Sequence, residues 1–299
     1  MRNATLYIAE PLTEGVTTFF AVERVLAAGA TAAGNHQIIE LLGFGRGLVL
    51  NGRLHRCDLD RVLHQEALAH PALAAHPHPR RVLLLGAAGG GVLKNILAHR
   101  SVERVVVVEP QGALVEHARA HLADWHDGAF DDARTRLVKS DVRAWLADAG
   151  EARFDVIIAD LPAPLDGGVA AGCYTREAFA AARALLAPGG LFAVAAGSAA
   201  LTRPGQLVDC RTTLEAVFKT VRIATVLLTS TLEPRAIALA SDDLDPATVP
   251  ASVVAERLAE RHVQPIACTA RMYSGLFAQP AWLAERTGRI LTDDAPFQR

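Results

Sequence analysis

The run Arg81-Val-Leu-Leu-Leu-Gly-Ala-Ala-Gly-Gly-Gly91, followed by Val105-Val-Val-Val-Glu109, constrains this chain more than any other feature. An apolar run leads into a glycine-rich turn, and a helix-like segment follows. Roughly 20 residues later a second apolar run ends in an acid. This is the layout of a strand–loop–helix–strand unit that binds a nucleoside. Glycines at positions such as Gly86, Gly89 and Gly90 let the backbone approach the ligand, and the acid, Glu109, accepts hydrogen bonds from ribose hydroxyls. Many nucleotide-binding proteins carry such a loop, so the rest of the chain decides which nucleoside is held.

From Arg81 onward the hydrophobic pattern alternates between strand and helix. It predicts strands at 81–86, 103–109, 135–140, 154–160, 190–196, 221–229 and 235–241. It predicts helices at 90–99, 112–123, 142–148, 175–187, 208–219 and 251–261. Four of these strands are continuous apolar runs, as expected where both faces of a parallel sheet are covered. The alternation implies a doubly wound α/β sheet. Leu186-Ala-Pro-Gly-Gly190 ends a helix and starts a strand at once, a turn that favours a Rossmann-like, class I methyltransferase-type sheet over a dehydrogenase.

The first 75 or so residues read differently. Segments 37–42 and 46–55 look like short strands, and Asn51-Gly52 between apolar runs is a hairpin signal. Residues 58–70 look helical, and the two prolines of His76-Pro-His-Pro-Arg80 mark a linker. We therefore expect a small antiparallel β-domain with a linking helix over 1–78, and a nucleoside-binding domain over 79–299.

Composition narrows the partners. Thirty basic residues face 32 acidic ones, with no basic stripe, which argues against nucleic acid. The N-terminus lacks the apolar stretch of a signal peptide, and no apolar run reaches the roughly 18 residues of a membrane span. Cys57, Cys173, Cys210 and Cys268 form no CxxC pair, which suggests reduced thiols in a cytoplasmic protein and no zinc site. His117 and His121 stand four apart on an expected helix, but no third metal ligand is evident, so no metal is expected.

At this point the chain resembles the spermidine synthase (polyamine aminopropyltransferase) family. The likeness runs through Gln37-x-Ile, Leu50-Asn-Gly, Asp60, Gln65-Glu and His76-Pro-x-Pro-Arg-x-Val-Leu-x-Leu-Gly. It continues through Ser101-Val-Glu-Arg-Val-x-Val-Val-Glu109, Asp155-Val-Ile-Ile-Ala-Asp160 and the Pro-Gly-Gly turn to Tyr273 and Phe277-x-x-Pro280. The resemblance implies an N-terminal β-domain before a methyltransferase-type domain, assembled as a homodimer or homotetramer. It implies SN2 transfer of an alkyl group from a sulfonium nucleoside to a small-molecule nucleophile such as an amine. Glu109 matches the acid on the ribose. Asp141 matches the acid beside the adenine, although it also suits a helix N-cap. Gln37 and Gln65 match glutamines lining the donor site, and Asp160 matches the proton acceptor.

The departures from the family are specific. Its Gly-Gly-Gly-Asp-Gly-Gly loop is here Gly86-Ala-Ala-Gly-Gly-Gly91, so Gly89 replaces an aspartate that faces the aminopropyl end of the donor. That leaves room for intact S-adenosylmethionine as well as its decarboxylated form; a plant branch of the family also lacks this acid and methylates an amine. Asp160-Leu-Pro-Ala-Pro164 loses the second aspartate of the family's Asp-Ser-x-Asp-Pro motif at Ala163. A family tyrosine is His64 and a family glutamine is His55, which makes His64 a catalytic candidate. Gln111 stands where the family often has an acid. Asp166 or Asp58 are the acids available to compensate. Aminopropyl, methyl and aminocarboxypropyl transfer all stay open. So does a non-catalytic, nucleoside-binding paralogue that regulates or partners another subunit.

Overall fold

A computed structural model of the protein describes residues 6–31, 34–87, 89–162, 164 and 169–297. Five strands, β1 (Leu6–Thr13), β2 (Val16–Thr31), β3 (Gly34–Leu41), β4 (Gly45–Leu50) and β5 (Arg53–Cys57), form an antiparallel sheet in sequential order. Asn51 and Gly52 join β4 to β5 with φ of 52° and 76°. Positive φ at both positions is what the two-residue turn requires, so the expected hairpin forms. β1 and β2 were not expected from sequence. β2 is long, mostly exposed or half-buried, and shifts register between Val22 and Arg24 and between Val25 and Ala27. Those irregularities erase the alternation by which a strand is read.

Strand alternation divides β3 between two cores. Ile39 and Leu41 pack with Phe20, Val22, Val49 and Leu54 inside the small sheet. Ile38, with Leu48 and Leu50, joins the larger core shared with the next domain.

Helix α1 (Arg61–Ala75) follows, buried from His64 to its end. It starts later than the expected 58–70 and runs on through Pro71, whose missing N–H usually breaks a helix. Leu68, Ala69, Ala72 and Leu73 are fully buried and hold it against the following sheet. Arg257 donates to the carbonyls of Ala74 and Ala75, and Arg261 to those of Leu73 and His76, which satisfies the helix's last acceptors. Expected as a link within the N-terminal domain, α1 instead lies in one core with Val82, Leu84, Val92 and Ile237 of the second domain.

That domain runs β6 (Arg81–Leu85), α2 (Gly91–Ala98), β7 (Arg104–Val108), α3 (Gly112–His121), α4 (Ala123–His126), β8 (Thr135–Val138), α5 (Val142–Asp148), β9 (Phe154–Ala159), α6 (Arg176–Ala184), β10 (Leu186–Ser198), α7 (Gly205–Glu215), β11 (Thr220–Leu228), β12 (Glu233–Ser241), α8 (Ala251–Glu260), α9 (Ala270–Leu276) and α10 (Ala281–Ala284). The seven strands lie in the order β11-β12-β10-β9-β6-β7-β8, with β12 antiparallel to both neighbours. This is the expected doubly wound sheet. Val82 and Leu84 face one core, and Leu83 and Leu85 face the other, which is why β6 reads as an unbroken apolar run. The Pro-Gly-Gly turn falls within β10, as a register shift between Leu186 and Leu191 against β9. Among the described residues no helix is long and apolar enough to cross a membrane.

The chain leaves β6 on one side toward β7 and β8, and on the other toward β9 and β10. The crevice beyond the carboxyl ends of β6 and β9 is therefore the topological switch point, where open α/β sheets bind ligands. Gly86 stands at its floor with φ +84°, and a Cβ there would lie 2.5 Å from the Asp160 carbonyl oxygen. Gly86→Ala should therefore cost about 2–4 kcal/mol, combining left-handed strain with overpacking. A calorimetric melt would show it as a Tm lower by several degrees; an unchanged Tm would remove the packing argument.

Candidate active site

Three strand ends build the crevice. The Gly86 N–H donates to Val108, the Glu109 N–H to Val138, and the Asp160 N–H to Leu85, each through the backbone. These bonds fix Gly86, Glu109 and Asp160 side by side. Leu50 and Asn51 from the β-domain, Gln111 and Leu114, Asp141 and Val142, and Leu161 and Cys173 complete the walls.

Glu109 is buried and accepts hydrogen bonds from the backbone N–H groups of Ala87 and Gln111, both 2.8 Å. Burial pushes its carboxyl up to about 7; the Gln111 and Ala87 donors oppose this, and neighbouring Asp160 adds to the rise. The sign for ligand binding follows. A nucleoside whose ribose hydroxyls donate to Glu109 prefers the carboxylate. Its affinity should be constant above pH 7 and fall by up to about tenfold per unit below it. Folding has the opposite sign: burial favours the neutral acid, so this contribution to stability declines between the ordinary value of 4.5 and about 7. Calorimetric titration with methylthioadenosine from pH 5.5 to 8 checks the first statement, and a flat profile would contradict it.

Asp141 is the N-cap of α5, accepting from the Ala144 N–H at 2.9 Å, and it also lines the crevice. The capping and crevice positions expected for it thus coincide. Gly89 (φ +87°) and Gly90 (φ +84°) turn the loop into α2. Gln65 of α1 is buried against this turn; a Cβ on Gly91 would meet its amide nitrogen at 1.9 Å.

Gln37 does not join them. It is exposed, on the face of β3 that carries Ile39 and Leu41. Strand parity places its neighbour His36 on the crevice side instead. The His36 Nδ1–H donates to Gln111 Oε1 at 3.0 Å, and its Nε2 accepts from His117 Nδ1 at 2.9 Å. Sequence reasoning missed His36. His117, for which no metal was expected, is engaged by His36. Among the described residues no three His, Cys, Asp or Glu side chains cluster to hold a metal ion.

Asp160 is 2% exposed, and its surroundings are unusual. Arg56 Nη2 donates to Oδ1 at 2.8 Å, and the Nε2 atoms of His55 and His64 each lie 3.8 Å from the same oxygen, too far for a hydrogen bond. Burial alone would raise the Asp160 carboxyl. Together the Arg56 guanidinium and the His64 and His55 side chains outweigh it and hold the group well below the usual carboxylate range. Burial, with Arg56 nearby, lowers His64 to about 4 and His55 well below the ordinary imidazole value, so both rings are neutral at pH 7. Arg56 was not anticipated. The one local signal was a charged residue among the buried Leu54, Cys57 and Asp60.

Of the two acids expected to compensate, Asp58 is engaged elsewhere. Asp58 accepts from the backbone and guanidinium of Arg46, from Arg61 and from the Trp125 indole N–H. Ala163 and Asp166 lie outside the described residues.

A family model described as the Spermine/spermidine synthase domain matches residues 61–242, more than half of the chain. A polyamine aminopropyltransferase 2 from Hyperthermus butylicus is 39% identical over 255 residues, covering 85% of this chain and 83% of its own. A polyamine aminopropyltransferase 2 from Pseudomonas aeruginosa is 33% identical over 317 residues, covering 97% and 88%. A solved spermidine synthase, in complex with the transition-state analogue AdoDATO, matches with a TM-score of 0.86 at 25% identity over 95% of both chains.

Proposed function

Because the chain belongs to the spermine/spermidine synthase family, we propose that it transfers an aminopropyl group from decarboxylated S-adenosylmethionine to an amine. The observation that carries this reading is the pair of buried acids, Glu109 and Asp160, at the ends of the two strands that flank β6 at the switch point. Glu109 takes the ribose hydroxyls and Asp141 lies along the base. Gly86, Gly89 and Gly90 let the backbone approach the donor, and Gln65 braces the turn behind it.

The amine arrives deprotonated and in line with the carbon next to the sulfonium. Its lone pair forms the new N–C bond as the C–S bond breaks. The bonding pair stays on sulfur, which leaves as the neutral thioether of methylthioadenosine, and the nitrogen, now positive, releases a proton. Asp160 is held ionised, which suits it to orient the amine N–H and to stabilise the cation that forms. It is correspondingly weak as a proton store, and the neutral His64 beside it is the second acceptor for the proton. The exposed Leu6, Tyr7, Val16 and Phe19 of β1 and β2 support assembly of two or more copies through this sheet.

Calorimetric titration with decarboxylated S-adenosylmethionine, the intact form, methylthioadenosine and NAD tests the reading. The decarboxylated donor and methylthioadenosine should bind, and NAD should not. Preference for the intact donor would redirect the reading to methyl or aminocarboxypropyl transfer, although Gly89 opens no room for it, since a Cβ there would already meet Trp125 at 3.1 Å and Leu122 at 3.4 Å. Binding of none of the sulfonium or thioether nucleosides would end it.

A further inference from the structure

Asp160, which lines the crevice, is backed by three buried side chains, Arg56, His55 and His64, with unfilled hydrogen-bonding capacity. Arg56 is 5% exposed. Its Nη1 donates to the His55 carbonyl at 2.6 Å and its Nη2 to Asp160, while Nε has no partner among the described residues. Nε2 of His55 and both ring nitrogens of His64 are also buried without partners. An arginine Nε–H only donates, and each neutral imidazole supplies one donor and one acceptor. Unpaired buried donors are costly, and they are satisfied by an oxygen that can accept.

The nearby carboxylates are already engaged. Asp160 Oδ1 is held by Arg56. Asp60 accepts from the Ser230 N–H at 2.7 Å and its hydroxyl at 2.8 Å. Glu233 takes Arg203, Arg235 and the Ser198 hydroxyl. Among the described residues, Asp60 and Glu233 are thus held by other donors, Asp160 is the acid given to the reacting amine, and a second ammonium on a diamine would meet the Arg56 guanidinium.

We infer that the region around Arg56, His55 and His64 takes a carboxylate, so that the preferred substrate carries a carboxylate where a diamine carries its second ammonium. This rests on the chain being an alkyltransferase that uses a sulfonium nucleoside, with the aminopropyl donor above or with the intact donor to which that reading could be redirected, and specifies its substrate class. Arg56 is then a specificity-determining residue: its planar fork suits a carboxylate, whose oxygens would fill the vacant Nε–H and imidazole donors. The carboxylate has two sources. It belongs either to the far end of the acceptor, an ω-amino acid, or to the amino-acid tail of intact S-adenosylmethionine.

Calorimetry on the full chain separates these. With methylthioadenosine saturating the donor site, 4-aminobutyrate should bind at least about tenfold more tightly than putrescine, a difference of one good charged contact. If the donor supplies the carboxylate, intact S-adenosylmethionine should instead outbind its decarboxylated form by a similar factor, with no preference in the amine series. Arg56→Gln should remove whichever preference the parent shows while methylthioadenosine affinity, the check on folding, is kept. Equal or tighter binding of both putrescine and the decarboxylated donor overturns the inference and leaves the transferase reading intact. A preference that survives in folded Arg56→Gln overturns it too. Failure of every nucleoside to bind overturns the transferase reading and this inference with it. The wild-type comparison decides even if Arg56→Gln does not fold.

Discussion

Asp160→Asn will bind methylthioadenosine as the parent does and form product at least about 100-fold more slowly, the usual range for loss of a positioned electrostatic stabiliser. The side chain keeps its shape but loses the charge that stabilises the developing ammonium. The substitution also has a structural cost. Arg56 Nη2 lies 2.8 Å from the Asp160 carboxylate, with both groups almost fully buried. Removing one partner of a buried pair leaves an uncompensated charge and typically costs about 3–5 kcal/mol. Asp160→Asn alone should therefore melt lower than the parent. Adding Arg56→Met removes the stranded charge, so the double variant should regain most of that stability without regaining turnover. Denaturant unfolding of the single and double variants, beside product assays, separates the two roles. Full turnover in either Asp160 variant would show that this carboxylate is not part of the chemistry.

Glu109→Gln will lower methylthioadenosine affinity by about 100-fold or more. Each ribose hydroxyl that donates to a carboxylate contributes roughly 1.5–3 kcal/mol, and two such bonds exceed the 2.7 kcal/mol of a 100-fold change. The amide also presents an NH2 group to a backbone donor. In the parent, the Ala87 and Gln111 N–H groups bond to opposite oxygens, Oε2 and Oε1, so one of them must face the new donor. Calorimetry reads the loss directly. An affinity within about threefold of the parent, under 1 kcal/mol, would place the ribose elsewhere in the crevice.

The residues that were legible in sequence sit at strand ends. Gly86, Glu109 and Asp160 each close an apolar run, and a doubly wound sheet brings the ends of such runs to one crevice. The Asn51-Gly52 hairpin was legible because two positive φ angles demand those residue types. What escaped depends on parity or on distant partners. Gln37 and His36 are adjacent, and only the pairing of β3 decides which faces the crevice. Helix α1 passes Pro71 because arginines almost two hundred positions later cap its end. Arg56 meets Asp160 across 104 positions, and nothing local announces the pair. The resemblance to spermidine synthases identified which acids were missing, at Gly89 and Ala163. It had no means of identifying the guanidinium beside the acid that remained.

The central claim is that this crevice moves an alkyl group from a sulfonium donor to an amine. The direct measurement is mass spectrometry of a reaction containing the full chain, decarboxylated S-adenosylmethionine and a mixture of putrescine, spermidine and 4-aminobutyrate. The account predicts one methylthioadenosine released for each amine that gains an aminopropyl group, with release lost in Asp160→Asn. Tight donor binding with no methylthioadenosine formed from any of these amines would contradict it, and would make the Arg56–Asp160 pair the closed lock of a nucleoside-binding protein.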